Sequence, residues 1–233
     1  NNGSNWDKKT PFRVFKNALK SGCYLWGWGQ NDEYQLGNSP ATAQQLSPIQ
    51  VGTATDWVEI ATGTNRTAFA IKANGTIWGW GSNPSSIIVA GSSTYTVSTP
   101  TQVGTSTDWV RMSVGPAHIL AQKQDGTLWS WGGGKGLGVG GTPSVTNIPQ
   151  QVTTDNWKSF TTGTNTSFGV KTDGTLWAWG LNTNGQLGDG TSIDRLVPTQ
   201  IGTDTNWDTV QARNFSTTMA TKTDGTVWYW GLN

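Results

Sequence analysis

A pentapeptide pattern returns five times along the chain: an aliphatic residue, Trp, a variable residue, Trp and Gly. The copies are Leu25–Gly29, Ile77–Gly81, Leu128–Gly132, Leu176–Gly180 and Val227–Gly231. Their first tryptophans lie 48 to 52 residues apart. This interval is the length of one small antiparallel sheet, and such a period is typical of propellers and solenoids.

The residues upstream of each pentapeptide predict two strands. A tryptophan opens the first strand after a turn, as in Trp57–Thr62, and a glycine such as Gly63 ends it. A second extended segment follows, as in Thr67–Lys72 and Ser167–Lys171. The opening tryptophans are Trp57, Trp109, Trp157 and Trp207.

A turn signal separates the second segment from the pentapeptide in four units. The dipeptides are Asn74-Gly75, Asp125-Gly126, Asp173-Gly174 and Asp224-Gly225. We expect β-hairpins with two-residue type I′ turns, in which both central residues have positive φ. Backbone geometry explains the aspartates there, so they are interpreted as structural and not catalytic.

The pentapeptide itself reads as a third strand. Its two tryptophans share one face, and the residue between them is small in four copies, so both faces of the sheet are apolar or small. Such a sheet is covered by neighbours on both sides, as the blades of a propeller are. The tryptophans concerned are Trp26, Trp28, Trp78, Trp80, Trp129, Trp131, Trp177, Trp179, Trp228 and Trp230.

A Pro-x-Gln-Val/Ile segment supplies a fourth strand, predicted to begin at Pro48, Pro100, Pro149 and Pro198. Because proline has no N–H, these segments favour edge strands. The fold class is therefore all-β, a β-propeller of about four to five blades, each four-stranded and of about 50 residues. Its ring is small, or open, or completed by another chain.

The expected units follow from these strands. Residues 21–51 form a partial unit, 57–103, 109–152 and 157–201 are complete, and 207–233 are partial. Residues 1–20 form a basic N-terminal arm, either a docking segment or a solvated terminus. Trp6 precedes Trp26 by the interval that separates Trp109 from Trp129, but Asp7-Lys8-Lys9 fits a first strand poorly, so its equivalence stays open.

Charge and cysteine content narrow the function classes. The chain has 233 residues, 12% of them charged, and a net charge of +1. Residues 1–20 carry +4 of this, so the remainder is slightly acidic and shows no footprint for nucleic acid. Cys23 is the single cysteine, and no apolar run is long enough to span a bilayer.

The run from Trp177 to Asn182, then Asn184 to Thr191, Pro198 and Trp207, resembles the repeat of the regulator of chromosome condensation family, especially its bacterial and phage-encoded relatives. Gln30-Asn31 with Tyr34–Gly37 is a second match, Gly136–Gly138 a reduced one, and Ser82 to Ser93 has lost the pattern. The resemblance implies a propeller. Founding members of the family have seven blades, and some exchange guanine nucleotide on a small GTPase while binding chromatin; others inhibit enzymes, recruit partners or decorate surfaces.

Catalytic chemistry is not expected. His118 is the single histidine, it matches a Gly-x-x-His pattern of the family, and no serine lies in a nucleophile-elbow context. Gly132–Gly138 lacks P-loop spacing, and Asn182–Thr191 lacks the acidic spacing of a calcium loop. We therefore expect no catalytic residue, no cofactor and no metal.

The expected function is a non-catalytic scaffold whose variable loops, around 30–47, 82–99, 133–148 and 181–197, bind a protein partner or a surface glycan. Tyr34, Tyr95, Lys135 and Arg195 are the candidate binding residues. The alternatives are a carbohydrate-binding propeller, with tryptophans stacking on sugars, and an exchange-factor-like regulator. Richness in Thr, Asn, Gly and Ser favours a bacterial or phage surface, appendage or decoration module, with an extracellular, cell-surface or virion location. Oligomeric state is left open, including a homo-oligomer or a larger assembly.

Overall fold

The computed structural model describes residues 23–38, 44–63, 65–83, 87–89, 94–141, 145–213 and 217–231. These residues form strands β1 to β17 in five antiparallel sheets, here called the first to fifth blades. The first blade pairs β1 (Trp26–Gln30) with β2 (Gln44–Gln50). The basic arm, residues 1–20, and Trp6 lie outside the described residues.

The next three blades each have four strands paired in chain order. The second contains β3 (Trp57–Gly63), β4 (Thr67–Lys72), β5 (Ile77–Ser82) and β6 (Thr96–Gln102). The third contains β7 (Trp109–Val114), β8 (His118–Lys123), β9 (Leu128–Gly133) and β10 (Val145–Thr153), and a 3₁₀ turn spans Lys135–Leu137. The fourth contains β11 (Trp157–Thr162), β12 (Thr166–Lys171), β13 (Leu176–Gly180) and β14 (Arg195–Gln200). The fifth contains β15 (Trp207–Arg213), β16 (Thr217–Lys222) and β17 (Val227–Gly231).

Neighbouring blades are joined along their first strands. The Glu59 carboxylate on β3 accepts a hydrogen bond of 2.8 Å from the backbone N–H of Met112 on β7. The Arg111 guanidinium on β7 donates to the carbonyl of Lys158 on β11 at 2.9 Å. Burial raises the pKa of Glu59 and lowers that of Arg111, and each charge opposes the shift of the other. The all-β propeller architecture predicted from the repeat is confirmed.

The predicted hairpins are confirmed, but the predicted type I′ turns are wrong. Gly75 has φ of 77°, whereas Asn74 does not have a positive φ. The backbone N–H of Gly75 donates to the carbonyl of Lys72, which closes a three-residue loop with glycine in the left-handed position. Asn74 favours this form because its side-chain oxygen accepts hydrogen bonds from the backbone and hydroxyl of Thr76.

This turn also positions the first tryptophan of the third strand. In the fourth blade, the Asp173 carboxylate accepts from the Thr175 hydroxyl at 2.6 Å, and that hydroxyl accepts from the Trp177 indole N–H at 2.8 Å. Lys171 Nζ lies 3.6 Å from the Trp177 ring centroid and 5.6 Å from that of Trp157, within range of a cation–π contact. We call Trp157, Lys171 and Trp177 a tryptophan–lysine cluster.

The same cluster recurs in the second, third and fifth blades. Its members there are Trp57, Lys72 and Trp78; Trp109, Lys123 and Trp129; and Trp207, Lys222 and Trp228. Each lysine also forms an ion pair with an aspartate at the start of its blade, Asp56, Asp108, Asp155 or Asp204. The spacing of these residues is therefore explained by folding.

Asp173→Ala is expected to lower the free energy of unfolding by about 1 kcal/mol, because Thr175 loses its acceptor and Trp177 its fixed partner. Hydrogen bonds from Thr175 lower the pKa of Asp173, which shows that the charged form is the one favoured. Urea denaturation measures the change. Asp208→Ala is the matched control: Asp208 forms an exposed ion pair with Lys158, worth less than about 0.5 kcal/mol. Equal losses in both variants would contradict the role given to the turn.

The fourth strands begin earlier than predicted. β6, β10 and β14 start four, four and three residues before their prolines, and β2 starts at Gln44, four before Pro48. A register shift accompanies each proline. In the fourth blade, Thr199 faces Ala178 and Arg195 faces Gly180, so the outer strand carries extra residues around Pro198. The missing N–H is tolerated within a bulge of an edge strand, which is why proline did not mark the strand start.

Candidate interaction face

The loops that follow the third strands emerge at one end of the blades, beside the loops that join first and second strands. Arg66 links the two kinds of loop, since its guanidinium lies 2.8 Å from Glu33 Oε1 and 3.0 Å from Asp32 Oδ2. The Asn65 side chain donates to the carbonyl of Pro116 in the next blade. We call this end the loop face, comprising residues 31–38, 65–66, 83, 87–89, 94–95, 115–117, 134–141, 163–165 and 181–194.

Each loop of this face holds the following blade in place. The indole N–H of Trp179 in the fourth blade donates to the carbonyl of Gly136 in the third, at 2.8 Å. Equivalent bonds run from Trp80 to Gln35, from Trp131 to Ile87 and from Trp230 to Gln186. The variable loops are thus joints between blades as well as surface segments.

A buried aliphatic residue follows each of these carbonyls. Leu36, Ile88, Leu137 and Leu187 are all buried. Buried asparagines brace three of the loops, because the side-chain oxygens of Asn31, Asn83 and Asn182 accept from the backbone N–H of Leu36, Ile88 and Leu187. The second blade keeps this arrangement although its sequence has lost the family pattern. Sequence reasoning missed these asparagines, and their recurrence two residues after the Trp-Gly pair was the available signal.

Gly138 makes room for the joint at Trp179. It has φ of 75°, and a Cβ at this position would overlap the Trp179 indole. Gly37 and Gly188 stand in the same relation to Trp80 and Trp230. The Leu-Gly pair of the repeat therefore has a physical reason: leucine fills the joint and glycine admits the next indole.

The four candidate binding residues all lie on or beside the loop face. Tyr95 is 84% exposed and stands next to β6. Tyr34 is half-buried and has φ of 61°, in the left-handed region. Lys135 pairs with Asp194 at 2.5 Å, and Arg195 pairs with Asp189 at 2.7 Å. The structure brings Lys135 and Arg195 into one neighbourhood and leaves the two tyrosines on other loops.

Internal contacts use the charges of the loop in the fourth blade. Asp189 is 6% exposed at its side chain. Desolvation raises its pKa, but hydrogen bonds from Thr191 and Arg195 outweigh that effect and lower the pKa to about 2. The hydrogen bond from Lys135 lowers the pKa of Asp194. Because these charges are paired, the exposed Ile193, at 61%, is a more available contact than Arg195.

His118 and Ser167 form a contact that resembles a nucleophile and its base. His118 Nε2 lies 2.7 Å from Ser167 Oγ, across the joint between the third and fourth blades. The serine hydroxyl, however, donates to the Gly136 carbonyl at 2.8 Å, so the histidine must donate to the serine. Both side chains are fully buried, and burial lowers the pKa of His118 to about 4. A substrate has no access to this pair, and its proton arrangement is the reverse of an activated nucleophile.

The repeat tryptophans divide by position in the array. Trp80, Trp131 and Trp179 are buried in joints, as expected. Trp28 of the first blade is 63% exposed, and Trp26 and Trp228 are about half exposed, which corrects the expectation that all repeat tryptophans are covered. The reason is that no further described blade packs against either end. Sugar-stacking indoles on the loop face are therefore not favoured.

Within the part of the chain that the structure describes, no group of three or more His, Cys, Asp or Glu side chains could hold a metal ion. No helix of those residues has the length and apolarity to cross a membrane.

Comparison with protein families identifies the repeat. The family described as regulator of chromosome condensation (RCC1) repeat matches residues 24–70 and 173–213. A second description of the same repeat matches residues 157–186.

Solved structures share the fold. Yeast RCC1 (Prp20) in its complex with Kap60 superposes with a TM-score of 0.75 at 23% identity, covering 91% of this chain and 53% of that one. Human WBSCR16 gives a TM-score of 0.71 at 21% identity, covering 84% and 52%. The chain thus spans about half the length of these propellers. A human protein named probable E3 ubiquitin-protein ligase HERC6 is 29% identical over 133 residues, which are 54% of this chain and 13% of that protein.

Proposed function

Because the chain carries repeats of the regulator of chromosome condensation family, we propose that it is a non-catalytic β-propeller scaffold that binds a protein partner through its loop face. The observation that carries this proposal is the division of each loop into two parts. A buried part supports the next blade, and an exposed part differs from loop to loop. Variation is therefore confined to the surface, where specificity can change without disturbing a joint.

The exposed groups suit a protein partner. Tyr95 and Ile193 are large and well exposed, and paired charges surround them at Asp32, Glu33, Arg66, Lys135 and Asp194. Aromatic and aliphatic anchors within a polar surround are the composition of protein interfaces. Related propellers bind proteins: yeast RCC1 has been crystallised with Kap60, and the structure of Prp20p from Saccharomyces cerevisiae was reported with its binding to Gsp1p and histones.

The low charge and the richness in Thr, Asn, Gly and Ser support a surface setting for this scaffold, on a cell, an appendage or a virion. Immunogold labelling of intact cells or particles tests the location. Label confined to the cell interior would contradict it.

Ile193→Asp is expected to reduce capture of the partner at least about tenfold, because it places a charge in the apolar part of the loop face. The measurement is quantitative cross-linking and capture from the source extract, with wild-type and variant chains compared side by side. Ile60→Asp is the matched control, since Ile60 is 64% exposed but lies on the first strand β3 and not on the loop face.

Two outcomes would contradict the proposal. One is equal capture by both variants, which would locate the interface elsewhere. The other is binding on a glycan array that Ile193→Asp abolishes, which would favour the carbohydrate-binding alternative. Nucleotide release from a small GTPase, measured with the same pair of variants, separates an exchange-factor-like regulator from a simple scaffold.

A further inference from the structure

The first blade exposes a surface that the other blades cover. In the described residues β1 pairs with β2 along one edge, and its other edge has no strand. Trp26, at 51% exposure, corresponds to Trp78, Trp129 and Trp177, each of which packs against a first-strand tryptophan and a lysine. The surface around Trp26 is therefore an incomplete tryptophan–lysine cluster.

The chain contains the two missing residues at the spacing that the complete clusters use. In the third blade, Lys123 follows Trp109 by 14 residues and precedes Trp129 by 6. In the fourth blade Trp157, Lys171 and Trp177 repeat both intervals. Counting back from Trp26 by the same intervals gives Lys20 and Trp6.

The residues beside this lysine also agree. Ala18-Leu19-Lys20 matches Ala70-Ile71-Lys72, and a small residue, Ala or Gly, precedes the lysine by two in every complete cluster. Alanine or glycine suits that position because it lies in a buried second strand between two sheets.

The described start of the first blade lies in the register that this match requires. Cys23 follows Lys20 by three residues, as Gly75 follows Lys72. The backbone N–H of Cys23 donates to the carbonyl of Thr55 at 3.1 Å, and Cys23 bridges to Asp56, just before Trp57. Gly75 and Gly174 meet the next blade at the same point, since their carbonyls accept from the backbone N–H of Trp109 and Trp207 at 3.0 Å. The chain therefore leaves Cys23 towards the open edge of β1.

We propose that residues 6–20 are the occupant of this surface and form the inner half of the first blade, with Trp6 against the Trp26 indole and Lys20 above it. The positive charges of the segment are then divided between this cluster and solvent, and the segment is not a free docking arm. A second copy of the chain, or another protein, is the competing occupant.

Hydrogen exchange of the full chain, followed by mass spectrometry, tests the proposal. In the wild type we expect β1 to be protected, and we expect Trp6→Ala and Lys20→Ala each to speed its exchange at least about tenfold. Lys9→Ala is the control within the same segment, at a position that no cluster uses, and it is expected to leave β1 unchanged. Exchange in β9 of the third blade reports whether a variant remains folded.

Three results would overturn the proposal. In the first, β1 exchanges as fast in the wild type as in Trp6→Ala. In the second, limited proteolysis removes residues 1–20 without changing exchange in β1. In the third, protection of β1 appears only as protein concentration rises, which would identify a second copy as the occupant.

Discussion

Trp179→Ala is expected to lower the free energy of unfolding by about 3–5 kcal/mol, one of the largest losses open to a single substitution in this chain. The indole is fully buried, donates a hydrogen bond to Gly136, and packs 5.8 Å from Trp157, centroid to centroid. Its removal leaves a cavity in the joint and an unpaired carbonyl. Guanidinium denaturation followed by far-ultraviolet circular dichroism measures the loss.

Trp28→Ala is the matched control for this prediction. Trp28 holds the same repeat position but is 63% exposed, so its replacement is expected to cost less than about 1 kcal/mol. Similar losses at both positions would mean that the joint, and not merely the residue type, had been misjudged.

The stability of the protein is expected to fall by about 3 kcal/mol as pH drops from 6.5 to 4, because of His118. Burial lowers the pKa of this histidine from 6.5 to about 4 in the folded state. Between these values the unfolded chain binds a proton that the folded chain excludes. The contribution is therefore complete above pH 6.5 and is lost progressively below it. Denaturation at a series of pH values measures the slope.

His118→Gln tests the assignment, because glutamine can still donate to Ser167 but does not titrate. Its stability is expected to be flat across the same window. The lowered carboxyl pKa values, including that of Asp189 at about 2, affect stability only at lower pH, as pH falls through the folded-state values. A slope that persists in His118→Gln would contradict the role of His118.

The repeat made the fold accessible from sequence. Strands containing the Trp-x-Trp pair, and the segments on either side of the Asn-Gly and Asp-Gly turns, could be predicted because each depends on residues close in the chain. The turn type could not, since the side chain of Asn74 or Asp173 accepts hydrogen bonds from a threonine two residues on and stabilises a negative φ. The bulges at the outer prolines were missed for a similar reason.

The candidate site was less accessible, because it depends on contacts between blades. Lys135 and Arg195 were selected as charged residues on variable loops. Their pairing with Asp194 and Asp189 follows from the path of the loops, which local sequence does not determine. The link between His118 and Ser167 spans 49 residues and joins two blades, so no local pattern could reveal it.

The bulged prolines of the outer strands have a consequence for how molecules behave at high concentration. An array of blades presents the rim of a sheet on every blade, and an unbroken rim would invite another molecule to extend the sheet. At Pro48, Pro100, Pro149 and Pro198 the rim offers no N–H, and the adjoining register shift distorts the ladder. Sheet-to-sheet aggregation along the circumference is thereby blocked in each blade separately.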